Sequence, residues 1–223
     1  MSLHPGKKSD ADKSWNKPRR DKPRKMQIGQ HLIITEGTKT EPLYFGTLKE
    51  IIKVKTGQDK VMIQGLGMNT TALFDFGKEL SGRAGFPFEH IWLVYDKDDF
   101  PAEHFNRVVA LCEAENKINE ETTFHAIWSN QCIELWYLLH FSFFQSDIHR
   151  DEYYGKLDEQ LRKIKAGAYK KNREDMFMIL LPYLDNAIRN SEMLEEWNIG
   201  NTPAESAPGT QMHIMMKMFK PYI

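Results

Sequence analysis

A chain of 223 residues, 41% of them hydrophobic, suits one domain with a real core. No apolar run reaches the roughly 20 residues of a membrane span, and the N-terminus has no apolar signal core, so neither a membrane protein nor a secreted one is expected. The net charge of −1 hides an asymmetry: residues 1–25 hold nine Lys or Arg against three Asp, so this stretch carries +6 and the remainder −7.

That first stretch is rich in Pro and poor in aliphatic residues, which predicts a disordered basic tail. Lys17, Arg19, Arg20, Arg24 and Lys25 within it are candidates for contact with a phosphate backbone; a merely solubilising tail is the other reading.

Order is expected from Met26. "HLIIT" (31–35) reads as a buried strand ended by Glu36-Gly37. "TEPLYFGTLKEIIKV" (40–54) follows as a helix, with Thr40 as a candidate N-cap and Pro42 just inside the start. "KVMIQ" (60–64) is a second strand, and "NTTALFDFGKELS" (69–81) a second helix. "HIWLVY" (90–95) is a third strand, "PAEHFNRVVALCEAEN" (101–116) a third helix and "TFHAIWS" (123–129) a fourth strand. Strands alternating with helices at this spacing imply a mostly parallel sheet with helices on both faces. The strands are continuously apolar, as doubly covered strands are.

Beyond Trp128 the pattern changes. "CIELWYLLHFSFF" (132–144) is apolar nearly all round and predicts a buried helix. Residues 150–195 are charged and helix-rich, with Pro182 interrupting them. "NTPAESAPGT" (201–210) reads as a loop, and the Met-rich "QMHIMMKMF" (211–219) as a short packed helix. The expected division is a basic tail (1–25), an α/β core (26–145) and a C-terminal helical extension packed on it (146–223).

Two acidic clusters fall at strand ends, where open α/β sheets bind ligands. Glu36 follows the first strand; Asp96, Asp98 and Asp99 follow the third within "HIWLVYDKDDF". In an extended segment Asp96 and Asp98 point the same way. Two carboxylates so placed repel, and a hard divalent cation such as Mg²⁺ or Mn²⁺ relieves that repulsion. The other reading is that Asp98 or Asp99 caps the helix near Pro101, which leaves Asp96 without a task. An EF-hand is excluded, because Pro101 and Arg107 stand where Gly and Glu are required. No phosphate-binding Gly-Lys-Ser/Thr loop is present.

Glu134 lies among Ile133, Leu135 and Trp136 with Ser129 and Asn130 as capping candidates ahead of it. It must find a partner or face solvent, and structural and catalytic roles both remain open. The histidines show no metal-ligand spacing: His31, His90, His125 and His140 read as core or edge residues. Cys112 and Cys132 are too few for a disulfide framework or a zinc site, which fits a reducing cytoplasm. Lys170 and Lys171 in "AYKKN" read as solvated, with phosphate contact as the alternative.

A strand ending in Glu-Gly, two βα units and a strand ending in Asp-x-Asp resemble the order of the Toprim domain. "LIITEGTKTEPLYF", "IWLVYDKDDF", "SNQCIELWYLLHF" and "AYKKN" together resemble the RloB family, Toprim-like proteins linked to bacterial phage-defence and restriction loci. The resemblance spans about residues 30–200; the family often has Pro at the position of Gln131. It implies a Mg²⁺-dependent phosphoryl-transfer site, with Mn²⁺ as a possible substitute. Glu36 would be its acid/base, Asp96 and Asp98 its metal ligands, and Glu134 a further member. It implies a nuclease acting on DNA or RNA in phage defence, and allows an ATPase partner protein of a defence locus. Lys170, like the tail, would contact nucleic acid. Two other readings stand beside it: a phosphohydrolase or nucleotidyl-transfer enzyme acting on nucleotides, and a non-enzymatic subunit of a defence complex with a relict site.

Overall fold

The computed structural model describes residues 27–68, 70–83 and 87–223. The basic tail, and with it Lys17, Arg19, Arg20, Arg24 and Lys25, lies outside the described residues. Strands β1 (His31–Thr35), β2 (Val61–Gly65), β3 (His90–Asp96), β4 (Thr123–Asn130) and β5 (Gly209–Thr210) form one sheet in the order β2-β1-β3-β4-β5. The first four run parallel, and β5 adds an antiparallel edge through Ser129↔Thr210 and Asn130↔Gly209. The expected α/β class, with a mostly parallel sheet and a helical C-terminal part, is what the chain adopts.

The alternation of side chains explains the two covered faces. Leu32, Ile34, Ile91, Leu93 and Tyr95 point one way, against α2 (Thr70–Ser81) and α3 (Ala102–Asn116). Ile33, Trp92, Val94 and Ile127 point the other way, against α1 (Thr40–Thr56). α1 offers Tyr44, Phe45, Leu48 and Ile52 on one stripe and stops at Gly57, whose φ of 71° lets its N–H cap the carbonyl of Lys53.

On the α1 face also pack α4 (Glu134–Leu139), α5 (Arg150–Lys163), α6 (Met176–Leu180), α7 (Leu184–Trp197) and α8 (Met212–Phe219). A 3₁₀ turn at Leu181–Tyr183 carries Pro182 between α6 and α7, so the chain breaks where a helix-breaking ring predicts. Met212, Met215 and Met216 are buried packing residues. No helix of the described residues is long and apolar enough to cross a membrane.

Four local expectations are corrected. α4 covers only Glu134–Leu139 of the apolar run 132–144; beyond it Ser142 is exposed, and Phe141, Phe143 and Phe144 pack on the core from irregular chain and are only partly buried. Thr40 is the first helical residue of α1, and Lys39 precedes it without a side-chain cap. Ser129 and Asn130 do not cap α4; they end β4, with Ser129 Oγ 2.9 Å from Thr210 Oγ1 and Asn130 Nδ2 donating to Pro203 and Ala204 carbonyls. The 201–210 loop ends in β5, a two-residue strand too short to leave a period in the sequence.

A candidate acidic active site

β1 connects through α1 to β2 on one side, whereas β3 lies on the other side of β1. The strand order therefore reverses between β1 and β3, which opens a crevice at their carboxyl ends. The register pairs Thr35 with Val94. Glu36, just past β1, donates its N–H to the Val94 carbonyl at 3.0 Å, and its Oε2 accepts from Asp96 N at 3.4 Å. Two segments distant in sequence are thus joined by the sheet itself.

A cavity of about 290 Å³ opens there. Its lining includes Glu36, Glu41, Asp96 and Asp98, with Lys171 and Asn172 reaching in from the loop after α5. Glu36, Asp96 and Asp98 come together as the strand-end argument expects. Glu134 does not line the cavity. It stands buried behind it, and its Oε1 accepts from the Tyr169 hydroxyl at 2.7 Å. Lys170 and Lys171 are both exposed, and of the two it is Lys171 that lines the cavity.

Asp98 is not in an extended segment. Its φ is +39°, so simple alternation with Asp96 fails and a turn sets its direction. The Asp98 N–H donates to the Gln131 carbonyl at 3.0 Å, and Lys97 N to the Ser129 carbonyl at 2.9 Å, which pin that turn to the end of β4. The Asn130–Gln131 peptide in that segment is cis. Asp99 does not cap α3. Pro101 holds the cap position without a side-chain bond, and Asp99 Oδ2 instead pairs with Arg150 Nη2 at 3.2 Å. The other Arg150 nitrogen, Nη1, lies 3.0 Å from Asp98 Oδ1.

Glu41 is a site residue that sequence reasoning misses, because a Glu in the first turn of a helix reads as ordinary dipole complementation. Its signal is Gly37. A Cβ there would fall 2.1 Å from Glu41 Oε2, so the glycine leaves room for this carboxylate to fold back over the loop. Gly65 does the same for the loop backbone: a Cβ would meet the Gly37 carbonyl oxygen at 2.8 Å. These two glycines let the β1–α1 loop lie down against the end of β2.

Negative charge is crowded here. Burial raises the Glu36 carboxyl to about 7, with Asp98 and Glu41 adding to the shift and the Asp96 N–H opposing it. Asp96 is half-buried at the end of β3 and lines the cavity. Desolvation, then Glu41, Glu134 and Asp98, hold its carboxyl well above the usual range, although Ile133 N donates to its Oδ2 at 3.2 Å. Glu41 is raised too, by burial first and then by Glu134. Burial opposes charge on Lys171, but Tyr154, Glu134 and Asp98 outweigh it and its pKa lies above the ordinary lysine value.

This is the charge pattern that a hard cation relieves, and the donors are all carboxylate oxygens of the kind Mg²⁺ and Mn²⁺ take. Donor type and charge therefore fit such an ion. Among the described residues, no three His, Cys, Asp or Glu side chains are drawn together closely enough to hold one as they stand.

A larger cavity of about 500 Å³ lies between α3, β4 and the segment from Leu194 to Ile214, but its acids, Glu113 and Glu195, are not clustered as those of the smaller one are. His31, His90 and His125 pack together: Trp92 Nε1 donates to His31 Nδ1 at 3.1 Å, and His90 Nδ1 lies 3.0 Å from His125 Nε2. Cys112 and Cys132 are buried free thiols.

In comparison with known proteins, residues 31–219 fit the family model of the RloB-like protein. No curated protein and no solved structure matches the chain.

Proposed function

Because the chain belongs to the RloB-like family and gathers four carboxylates at its topological switch point, we propose that it is a Mg²⁺-dependent phosphoryl-transfer enzyme of Toprim type. Its reaction is hydrolysis of a phosphodiester bond in DNA or RNA, in the setting of phage defence and in the cytoplasm. One observation supports the reading above the rest: Glu36, Asp96 and Asp98, from separate segments, line one cavity together with Glu41 and the cation Lys171.

Asp96 and Asp98 are the residues that would hold the ion, with Glu41 beside them and Glu134 behind. When bound, Mg²⁺ supplies charge compensation for the phosphodiester and Lewis-acid polarisation of its oxygens. The protein's own residues do the rest. Glu36 would take a proton from the attacking water or pass one to the leaving oxygen. Lys171 offers its ammonium to a phosphate oxygen. The apolar walls formed by β1, β3 and α1 fix these groups on rigid elements.

The test is incubation of the purified protein with plasmid, single-stranded DNA, tRNA and nucleotides, in Mg²⁺ or Mn²⁺ against EDTA. Metal-dependent strand cleavage supports the nuclease; conversion of nucleotides alone supports a phosphohydrolase or nucleotidyl-transfer enzyme. The modest cavity of about 290 Å³ is the observation that favours the second reading, since it is close to the size of a small-ligand pocket. Inactivity on every substrate would contradict both.

A further inference from the structure

The carboxylates of the cavity come from the strand ends and α1, and the cations that line it are Lys39, in the loop between β1 and α1, and Lys171. Lys171 lies in the loop after α5; Arg150, the first residue of α5, does not line the cavity but reaches its rim through Asp98. Arg150 and Tyr154 are four residues apart on that helix and so share a face. Arg150 reaches Asp98 and Asp99, at 3.0 and 3.2 Å. Tyr154 lies near Lys171 and stacks on Tyr169, with ring centroids 5.8 Å apart, and Tyr169 in turn donates to Glu134. One face of α5 and the loop that follows it thus form a basic and phenolic wall opposite the acids.

We propose that Arg150 and Lys171 form a two-cation clamp for a phosphate group of the substrate, and that Arg150 turns from Asp98 to that phosphate when a divalent cation is taken up. The inference rests on the phosphoryl-transfer reading of the same cavity.

In the free protein the Arg150 fork spends one nitrogen on each of two carboxylates. The pairs are half exposed, since the Arg150 side chain is 34% accessible and that of Asp98 36%. Ion pairs this open to water are weak, so exchanging partners costs little. A cation on Asp98 makes the guanidinium surplus positive charge. A phosphate oxygen pair matches the same planar fork and restores the balance. Lys171, beside Tyr154, acts as a point charge.

Two readouts separate this role from a merely structural tie. Free Mn²⁺ is measured by electron paramagnetic resonance, and binding of a short fluorescein-labelled single-stranded oligonucleotide by anisotropy, with Ca²⁺ present and ATP as competitor in a parallel arm. Arg150→Gln is expected to bind Mn²⁺ several-fold more tightly, since a competing cation has gone, yet to bind the oligonucleotide about tenfold more weakly. Lys171→Met weakens the oligonucleotide by a similar factor. Arg150→Lys returns Mn²⁺ affinity toward the wild-type value without restoring oligonucleotide binding, because the fork is lost. If ATP binding falls while the oligonucleotide is unaffected, the clamp stands and its phosphate belongs to a nucleotide.

Wild-type affinities for Mn²⁺, oligonucleotide and ATP in these variants would overturn the clamp while leaving the phosphoryl-transfer reading intact. So would weaker oligonucleotide binding that tracks a lowered melting temperature with Mn²⁺ affinity unmoved. A wild-type protein that binds no Mn²⁺ at all would remove the reading itself, and the clamp with it.

Discussion

The Tyr169 hydroxyl donates to Glu134 Oε1 at 2.7 Å, joining the loop after α5 to the first turn of α4 beneath the acidic cavity. This single bond gives a buried carboxylate its partner. It also fixes the loop that delivers Lys171.

Tyr169→Phe keeps the ring and removes the donor. Glu134 Oε1 then loses its hydrogen-bond donor in a buried position, which costs about 2 kcal/mol. The midpoint of urea unfolding should fall accordingly, and any metal-dependent activity should fall further as the loop loosens. An unchanged midpoint would mean that water or another group satisfies Glu134.

Two glycine substitutions separate fold from site. In Gly65→Ala the new methyl meets loop backbone, at 2.8 Å from the Gly37 carbonyl oxygen, so the loop must shift. A loss of about 1–3 kcal/mol is expected, as for overpacked cores. In Gly37→Ala the methyl meets only the Glu41 carboxylate, the movable end of a side chain. That variant should fold nearly as well as the wild type but bind a divalent cation less well. Thermal melting and Mn²⁺ titration of the pair distinguish the two cases.

The acids at the strand ends are legible in the sequence because two signals coincide there: apolar strands that alternate with helices, and carboxylates just past the last apolar residue. Glu36, Asp96 and Asp98 all follow from that. Glu41 does not, since a first-turn Glu has an ordinary explanation and its real signal, Gly37, depends on where the side chain folds. The choice between Lys170 and Lys171 is hidden as well, because a loop has no period that tells which neighbour faces inward. β5 and the direction of Asp98 depend on tertiary contacts that no local pattern records: the one on pairing with β4, the other on its bond to the Gln131 carbonyl.

The buried histidines predict an acid-sensitive fold. Burial lowers His31 to about 3, with His90 and His125 adding to it, and lowers His125 and His140 to about 4. The unfolded chain takes up protons near pH 6.5 that the folded chain refuses, so this stability is complete above that pH and is lost as pH falls toward 3. Glu36, Glu41 and Asp96 act in the opposite sense, since raised carboxyl values favour the folded state as pH falls from about 7 into the ordinary carboxyl range. His31→Gln retains an acceptor for Trp92 and removes one titrating group. Between pH 6 and 4.5 its stability should therefore fall less steeply than the wild type's, by about 1.4 kcal/mol per pH unit. Identical slopes by urea unfolding would refute the assignment.

Deleting residues 1–25 removes a net charge of +6. Nucleic-acid affinity should drop, and the slope of log affinity against log salt should flatten in proportion to the number of phosphates the tail neutralises. An unaltered slope would assign phosphate binding to the folded part.

Asp96→Asn bears most directly on the claim that the acidic cavity is a metal-dependent phosphoryl-transfer site. The amide oxygen still accepts from Ile133 N, while a carboxyl that resists ionisation is replaced by a neutral group. The measurement is Mg²⁺-dependent cleavage by the variant beside its melting temperature. Cleavage should be lost while the melting temperature stays at or above the wild-type value. Full cleavage by a folded Asp96→Asn would contradict the claim.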